Sequence, residues 1–208
     1  MNNNHDYTRV GITLNDLATL DEDRWYEVTN GDLVEQEMVQ VGDIHVVIVM
    51  NLYDIIKQFT GVRQMGRVVV DGQTYILAMD GDMVIDARIP DLSYVQDENI
   101  PDDFDWERPF LGPPDLAVEI VSSVVGAAYL EERVAAYRMA GTEQIWAIYP
   151  DLRKVHVYYR HDPTTIRVYG ADEALGAEPL LPGLRIRVSD IFRNNEERWS
   201  PRSRNGTH

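Results

Sequence analysis

Apolar positions along this chain recur at two spacings, every second residue over short runs and every third or fourth over longer ones, which predicts strands interleaved with helices. The longest helical pattern lies over residues 44–59. There Ile44, Val47, Ile48, Leu52, Ile55 and Phe59 share one face, and His45 falls near the start. A second helical stretch, 126–140, carries Tyr129, Val134, Tyr137 and Met139 among charges and stops at Gly141. A short helix over 13–20 begins at a Thr13 cap. Strand-like runs at 25–28 and 32–36 flank Thr29-Asn30-Gly31, and Asn-Gly between such runs predicts a hairpin. Further strands are expected at 67–70, 73–77, 83–85, after Pro90-Asp91, after Pro114-Asp115, and at 145–149, 155–159, 165–169 and 184–188. Strands with helices before and after them make an α/β arrangement with a mixed sheet.

Two of these strands carry a carboxylate where a half-buried strand normally rejects one. The run Gly112-Pro113-Pro114-Asp115-Leu116-Ala117-Val118-Glu119-Ile120-Val121-Ser122 places Glu119 among apolar, β-branched residues. Such a charge needs a metal ion, a cation or a set of hydrogen-bond donors. Alternate strand residues share a face, so Glu119 projects with Ala117, Val121 and Asp115, yet roughly 13 Å of strand separates the two acids. The partner must come from elsewhere, and Ile89-Pro90-Asp91-Leu92-Ser93-Tyr94-Val95 offers Asp91. On neighbouring strands the Asp91 and Glu119 carboxylates would lie about 5 Å apart and jointly hold a hard divalent cation. Structural alternatives stand beside this reading. Pro-Asp also starts strands and turns, His45 also suits a polar helix end, and Glu119 also suits an ion pair with an arginine from a covering helix.

At 208 residues the chain is long enough for one well-covered core. The expected organisation is a flexible start over 1–12, a single domain over 13–192 and a polar tail over 193–208. No apolar stretch reaches the ~20 residues that span a bilayer, and the start is polar where a secretory signal would be apolar, so a cytoplasmic location and no membrane partner are expected. The absence of cysteine excludes disulfides, thiolate nucleophiles and cysteine-held zinc. A net charge of −16 opposes a broad basic face for phosphates, leaving the tail arginines Arg193, Arg198, Arg202 and Arg204 as a local cluster. No phosphate-binding loop, dinucleotide fingerprint, zincin helix or nucleophile elbow is present.

The order and spacing of the motifs resemble the Uma-two family of endonucleases, grouped in the PD-(D/E)XK nuclease superfamily. The resemblance runs through Trp25-Tyr26-Glu27-Val28-Thr29-Asn30-Gly31-Asp32-Leu33-Val34, Pro90-Asp91, Pro114 to Ser122, Tyr137 with Gly141, Trp146 with Pro150, Leu181-Pro182-Gly183-Leu184 and Ile191-Phe192. It implies a restriction-endonuclease-like core, with a mixed central sheet flanked by helices behind an N-terminal β-hairpin. It also implies a divalent-metal site that hydrolyses nucleic acid. By position, Asp91 and Glu119 become metal ligands, helped by the Ile120 carbonyl, with Mg or Mn as the cation. Glu27 and His45 fall near the site, and Asp115 is an outer carboxylate, a donor or a strand starter. The implied substrate is nucleic acid, DNA foremost, and a homodimer is expected.

Several positions depart from the family pattern. Val121 stands where a Glu-X-Lys lysine would, and Arg133 occupies the helix position, four residues before Tyr137, at which this family carries lysine. Arginine can hold a phosphate bidentately but does not release its proton at ordinary pH. Ser122-Ser123-Val124 replaces Ser-Pro-Ser, and Tyr129 replaces an acidic residue. Metal-assisted hydrolysis with Arg133 at the phosphate is the implied mechanism. The competing expectation is a non-catalytic binding or regulatory module that retains the nuclease fold.

Overall fold

The computed structural model describes residues 11–20, 24–36, 43–121 and 126–193. Most of the expected flexible start, the tail cluster Arg198, Arg202 and Arg204, and Ser122-Ser123-Val124 lie outside the described residues. Ile12, placed by sequence in that flexible start, is fully buried, and its carbonyl accepts from the Val84 N–H at 2.7 Å.

Helix α1 (Leu14–Leu17) is capped reciprocally, with the Thr13 hydroxyl accepting from the Asp16 N–H and the Asp16 carboxylate accepting from the Thr13 N–H. Strands β1 (Trp25–Thr29) and β2 (Asp32–Gln36) form the anticipated hairpin. Asn30 and Gly31 both have positive φ, 52° and 84°, as a two-residue turn of this hand requires. Helix α2 (Asp43–Arg63) runs a full turn beyond its expected end. Then come β3 (Gly66–Val70), β4 (Tyr75–Asp80), β5 (Met83–Arg88), β6 (Leu92–Gln96), a 3-10 turn over Asp97–Asn99, β7 (Phe110–Leu111) and β8 (Leu116–Ile120). Helix α3 (Ala127–Ala140) ends on Gly141 at φ 108°, whose N–H donates to the Tyr137 and Arg138 carbonyls. Strands β9 (Gln144–Tyr149), β10 (Lys154–Tyr159), β11 (Ile166–Tyr169), β12 (Ala174–Gly176) and β13 (Arg185–Arg187) follow, and α4 (Val188–Ile191) closes the described chain.

The strands divide between two larger sheets and a ribbon. One sheet has the order β11-β10-β9-β8-β6-β3, the other β2-β1-β5-β4-β7, and β12 pairs with β13. In the six-stranded sheet β8 and β9 run parallel while the remaining pairs are antiparallel, and α3 is the crossover that a parallel pair needs. The Asp71-Gly72 turn closes no hairpin, because β3 pairs with β6 whereas β4 pairs with β5.

One face of the six-stranded sheet is covered by α2 together with α4 and the β12–β13 ribbon, the other by α3. Ile48, Leu52 and Ile56 of α2 pack with Leu92, Tyr94, Leu116, Val118, Trp146 and Ile148. Leu130, Val134 and Tyr137 of α3 pack with Ala117, Ile145 and Ala147. Period-two alternation in β8 thus sends Leu116 and Val118 toward α2, and Ala117 and Glu119 toward α3. No helix among the described residues is long and apolar enough to cross a membrane.

Candidate active site

The chain passes from one large sheet to the other through Ile89-Pro90-Asp91, between β5 and β6. Because β6 is antiparallel to β8 with Leu92 opposite Val118, Asp91 falls one step on, beside Glu119 and Ile120. Its Oδ2 accepts from the Ile120 N–H at 2.5 Å. The proximity that the sequence suggested for these acids is therefore produced by strand register, with Pro90 setting the entry into β6.

Glu119 Oε1 accepts two bonds, from Arg133 Nη2 and from the Tyr137 hydroxyl, each at 2.8 Å. Arg133 and Tyr137 are one helical turn apart on α3, so both reach the same oxygen. Arg133 Nη1 donates to both oxygens of Glu27, at 2.7 and 2.6 Å, and Nη2 also donates to the Ile89 carbonyl at 2.8 Å. Glu27 Oε1 in turn accepts from the Ile89 N–H at 2.8 Å. The guanidinium is therefore shared by Glu27 from one sheet, Glu119 from the other and the crossover between them, and Arg133 is only 3% exposed. Its Nε, also buried, has no protein acceptor.

His45, near the start of α2, brings Nε2 to 3.5 Å from Asp91 Oδ1. Asp115 is not brought to this group. It lies four residues back along β8, where it accepts from the Gln96 N–H at 2.7 Å, Asn99 Nδ2 at 2.8 Å and Gln96 Nε2 at 3.3 Å. Those bonds fasten the far end of β6 and the 3-10 turn to β8.

Three participants were given no site role from sequence. Arg88 is buried, 3.6 Å from Glu27, and bonds Asp86 and the Glu132 carboxylate on α3. Its place just before Ile89-Pro90-Asp91 was the available signal. Asp71 donates its N–H to the Asp91 carbonyl at 3.3 Å, from a backbone with φ 38°. A carboxylate in that unusual conformation for a non-glycine residue is a signal only once the fold is known. Tyr137 was noted from sequence only as a helix position shared with the family pattern, with no role for its hydroxyl.

Charge is balanced unevenly across this group. Glu27 and Glu119 face Arg133, and burial, which works against the guanidinium charge, is outweighed by the two carboxylates that hold it on. Burial pushes Glu119 up to about 7, against the opposing pull of Arg133. Burial likewise pushes Asp91 up to about 7, opposed by the Ile120 N–H and by Arg133, while Asp71 and Glu27 push it further up. Arg133 is spent on Glu27 and Glu119, and burial lowers the pKa of His45, so Asp91 has no strong counter-ion in contact. Its side chain is nevertheless 23% exposed. Such a carboxylate can take either a proton or a cation from solution.

Hard oxygen donors of this kind suit Mg²⁺ or Mn²⁺, which commonly take one or two carboxylates and retain water. Asp91 Oδ1, the second oxygen of Glu119 and the Ile120 carbonyl are the groups that could hold the ion. Among the described residues no set of three or more His, Cys, Asp or Glu forms a ready-made metal cage.

The chain was compared with known proteins. No curated protein matches it. Among solved structures, it resembles a protein from Anabaena variabilis described as "a putative nuclease belonging to DUF820", with TM-score 0.70 and 22% identity over 87% of this chain and 97% of that one. At that identity the likeness is one of fold. A family model described as "Putative restriction endonuclease", Uma2, matches residues 13–189. With its order of motifs, its mixed α/β fold and this match over most of its length, the chain belongs to the Uma2 family.

Proposed function

We propose that this protein is a metal-dependent nucleic-acid phosphodiesterase whose reaction centre is formed by Asp91 and Glu119. The observation that carries the reading is the accessible Asp91 carboxylate, raised to about 7 by burial and left without a strong counter-ion beside Glu119. Membership of the Uma2 family supplies the substrate class, nucleic acid. When bound, a divalent cation supplies polarisation of a phosphoryl oxygen and a more acidic water.

The residues of the chain do the rest. Asp91 and Glu119 would hold the cation, with the Ile120 N–H fixing the rotamer of Asp91. Arg133 and Tyr137 fix Glu119 by two bonds to one oxygen, leaving the other available. His45 has its pKa lowered by burial and stands near Asp91 as a neutral imidazole able to take a proton from an incoming water. With a net charge of −16, the acidic exterior repels phosphate at long range, so cleavage should depend strongly on the divalent ion, and low salt should not favour it because it leaves that repulsion unscreened.

A second reading, a nuclease fold kept as a binding module, is favoured by one observation: Arg133 is consumed by internal partners, leaving no lysine amine on α3 to take part in proton transfer. Incubation of supercoiled, single-stranded and branched DNA, and of RNA, with Mn²⁺, Mg²⁺ or chelator tests the two. Cleavage that requires the ion and disappears in Asp91→Asn and Glu119→Gln supports the phosphodiesterase. Retention of these nucleic acids without any cleavage supports the module.

A further inference from the structure

We propose that Arg133 and Glu27 act as positioning residues: a buried clamp that sets Asp91 and Glu119 relative to each other, in place of any contact between Arg133 and substrate phosphate. The proposal deepens the phosphodiesterase reading and rests on it only for the identity of the ion. Its basis is where the donors go. The carboxylate of Glu27 accepts from the Ile89 N–H at 2.8 Å, and Arg133 Nη2 donates to the Ile89 carbonyl at 2.8 Å, so both polar groups of one peptide residue are gripped. That residue lies two positions before Asp91. The same Nη2 grips Glu119 at 2.8 Å, and Nη1 closes the loop on Glu27. One planar guanidinium thus fixes the crossover that presents the first ligand and the side chain of the second.

A phosphate contact would need a free donor facing the solvent. Both Nη atoms are occupied by Glu27, Glu119 and Ile89, the Tyr129 and Tyr137 hydroxyls lie 3.2 and 3.3 Å from them, and Nε is enclosed in protein. The fork geometry matters more here than the charge. An ammonium presents three donors from one point and cannot span Glu27, the Ile89 carbonyl and Glu119 as separated nitrogens can.

The test compares the full chain with Arg133→Lys and Glu27→Gln, using melting temperature as the check on folding. Two readouts address the clamp: amide hydrogen exchange at Ile89 and Ile120 without metal, and Mn²⁺ affinity by calorimetry. Both variants should speed exchange at Ile89 and Ile120 by roughly tenfold while the Ile148 amide in β9 keeps its protection. Mn²⁺ affinity should fall roughly 10- to 100-fold, as when a group supporting a metal ligand is removed. Unchanged exchange at both amides overturns the clamp. Unchanged Mn²⁺ affinity together with altered affinity for duplex DNA in Ca²⁺ also overturns it, and makes Arg133 a substrate-facing cation. If the wild-type chain takes up no Mn²⁺ and cleaves nothing, the phosphodiesterase reading fails, and exchange at Ile89 and Ile120 still decides the clamp.

Discussion

The two ends of β8 present carboxylates that are equally hidden and differently treated. Asp115, just ahead of the strand, is 9% exposed, and Glu119, near its end, is 8% exposed. Asp115 is held by neutral donors from Gln96 and Asn99. Glu119 shares an arginine with Glu27 and stands beside Asp91, whose own charge no protein cation fully answers. Burial alone therefore does not mark a reaction centre. The mark is buried like charges collected beyond what the resident cations neutralise, because the deficit can be met only by a proton or an incoming ion.

The most damaging way to break the contrast is to remove the resident cation. Arg133→Met would leave Glu27 and Glu119 buried without their shared partner, and the expected cost is about 3–5 kcal/mol of folding stability. Urea unfolding at neutral pH measures it. A loss under 1 kcal/mol would mean that the two glutamates already share a proton at that pH, and that the guanidinium is not their chief neutraliser.

How much of this was legible in the sequence differs by feature, for physical reasons. Glu119 stood out because an acid in a β-branched run is a local anomaly. The open alternative of an arginine from a covering helix proved to be the contact that exists, as Arg133 bonds Glu119 from α3. Asp91 was legible as a strand start, but its approach to Ile120 depends on antiparallel register, which only the assembled sheet sets. Arg88 was signalled only by its place just before Ile89-Pro90-Asp91, and Asp71 not at all, because the assembled sheets bring them there and no periodicity encodes it. Whereas α4 begins at Val188, the last residue of a run read as strand, helices α1, α2 and α3 and the hairpin were readable from apolar spacing, capping and Asn-Gly. The two-residue β7 and three-residue β12 were not, being too short to show a period.

A milder perturbation uses pH. Asp91 is raised from its ordinary 3.8 to about 7, so the folded chain binds this proton more tightly than the unfolded chain does. The associated stability is fully present below about pH 4 and is lost as pH rises through 7. Allowing for the partial solvent contact of the side chain, about 2 kcal/mol of the fall in stability between pH 4 and 8 should belong to Asp91. Asp91→Asn should flatten that part of the curve and be the more stable protein at pH 8. Parallel melting curves for the two chains that keep a constant separation from pH 4 to 8 would refute the assignment.

The ion itself should reverse the same loss. At pH 8, Mn²⁺ at ten times its dissociation constant should add about 1.4 kcal/mol, read as a rise in melting temperature that chelator removes. The rise should vanish in Asp91→Asn, whose amide is a poor partner for a hard cation. An equal rise in that variant would place the binding elsewhere on this acidic surface.

The smallest effect belongs to the other end of β8, and it sharpens the comparison because it should be silent where the first end responds. In Asp115→Asn the side-chain carbonyl can still accept from the Gln96 N–H, while the new amide group faces the Asn99 amide donor and loses that bond. One neutral hydrogen bond exchanged for a mismatch costs about 1 kcal/mol. The Mn²⁺ response should stay at its wild-type size, since the substituted group lies roughly 13 Å along the strand from Glu119. Urea unfolding of Asp115→Asn checks the stability loss, and calorimetric titration with Mn²⁺ checks the affinity. A weakened Mn²⁺ affinity in that variant would show that fastening the far end of β6 to β8 also tunes the register at Asp91, and the two ends of the strand would then be one device.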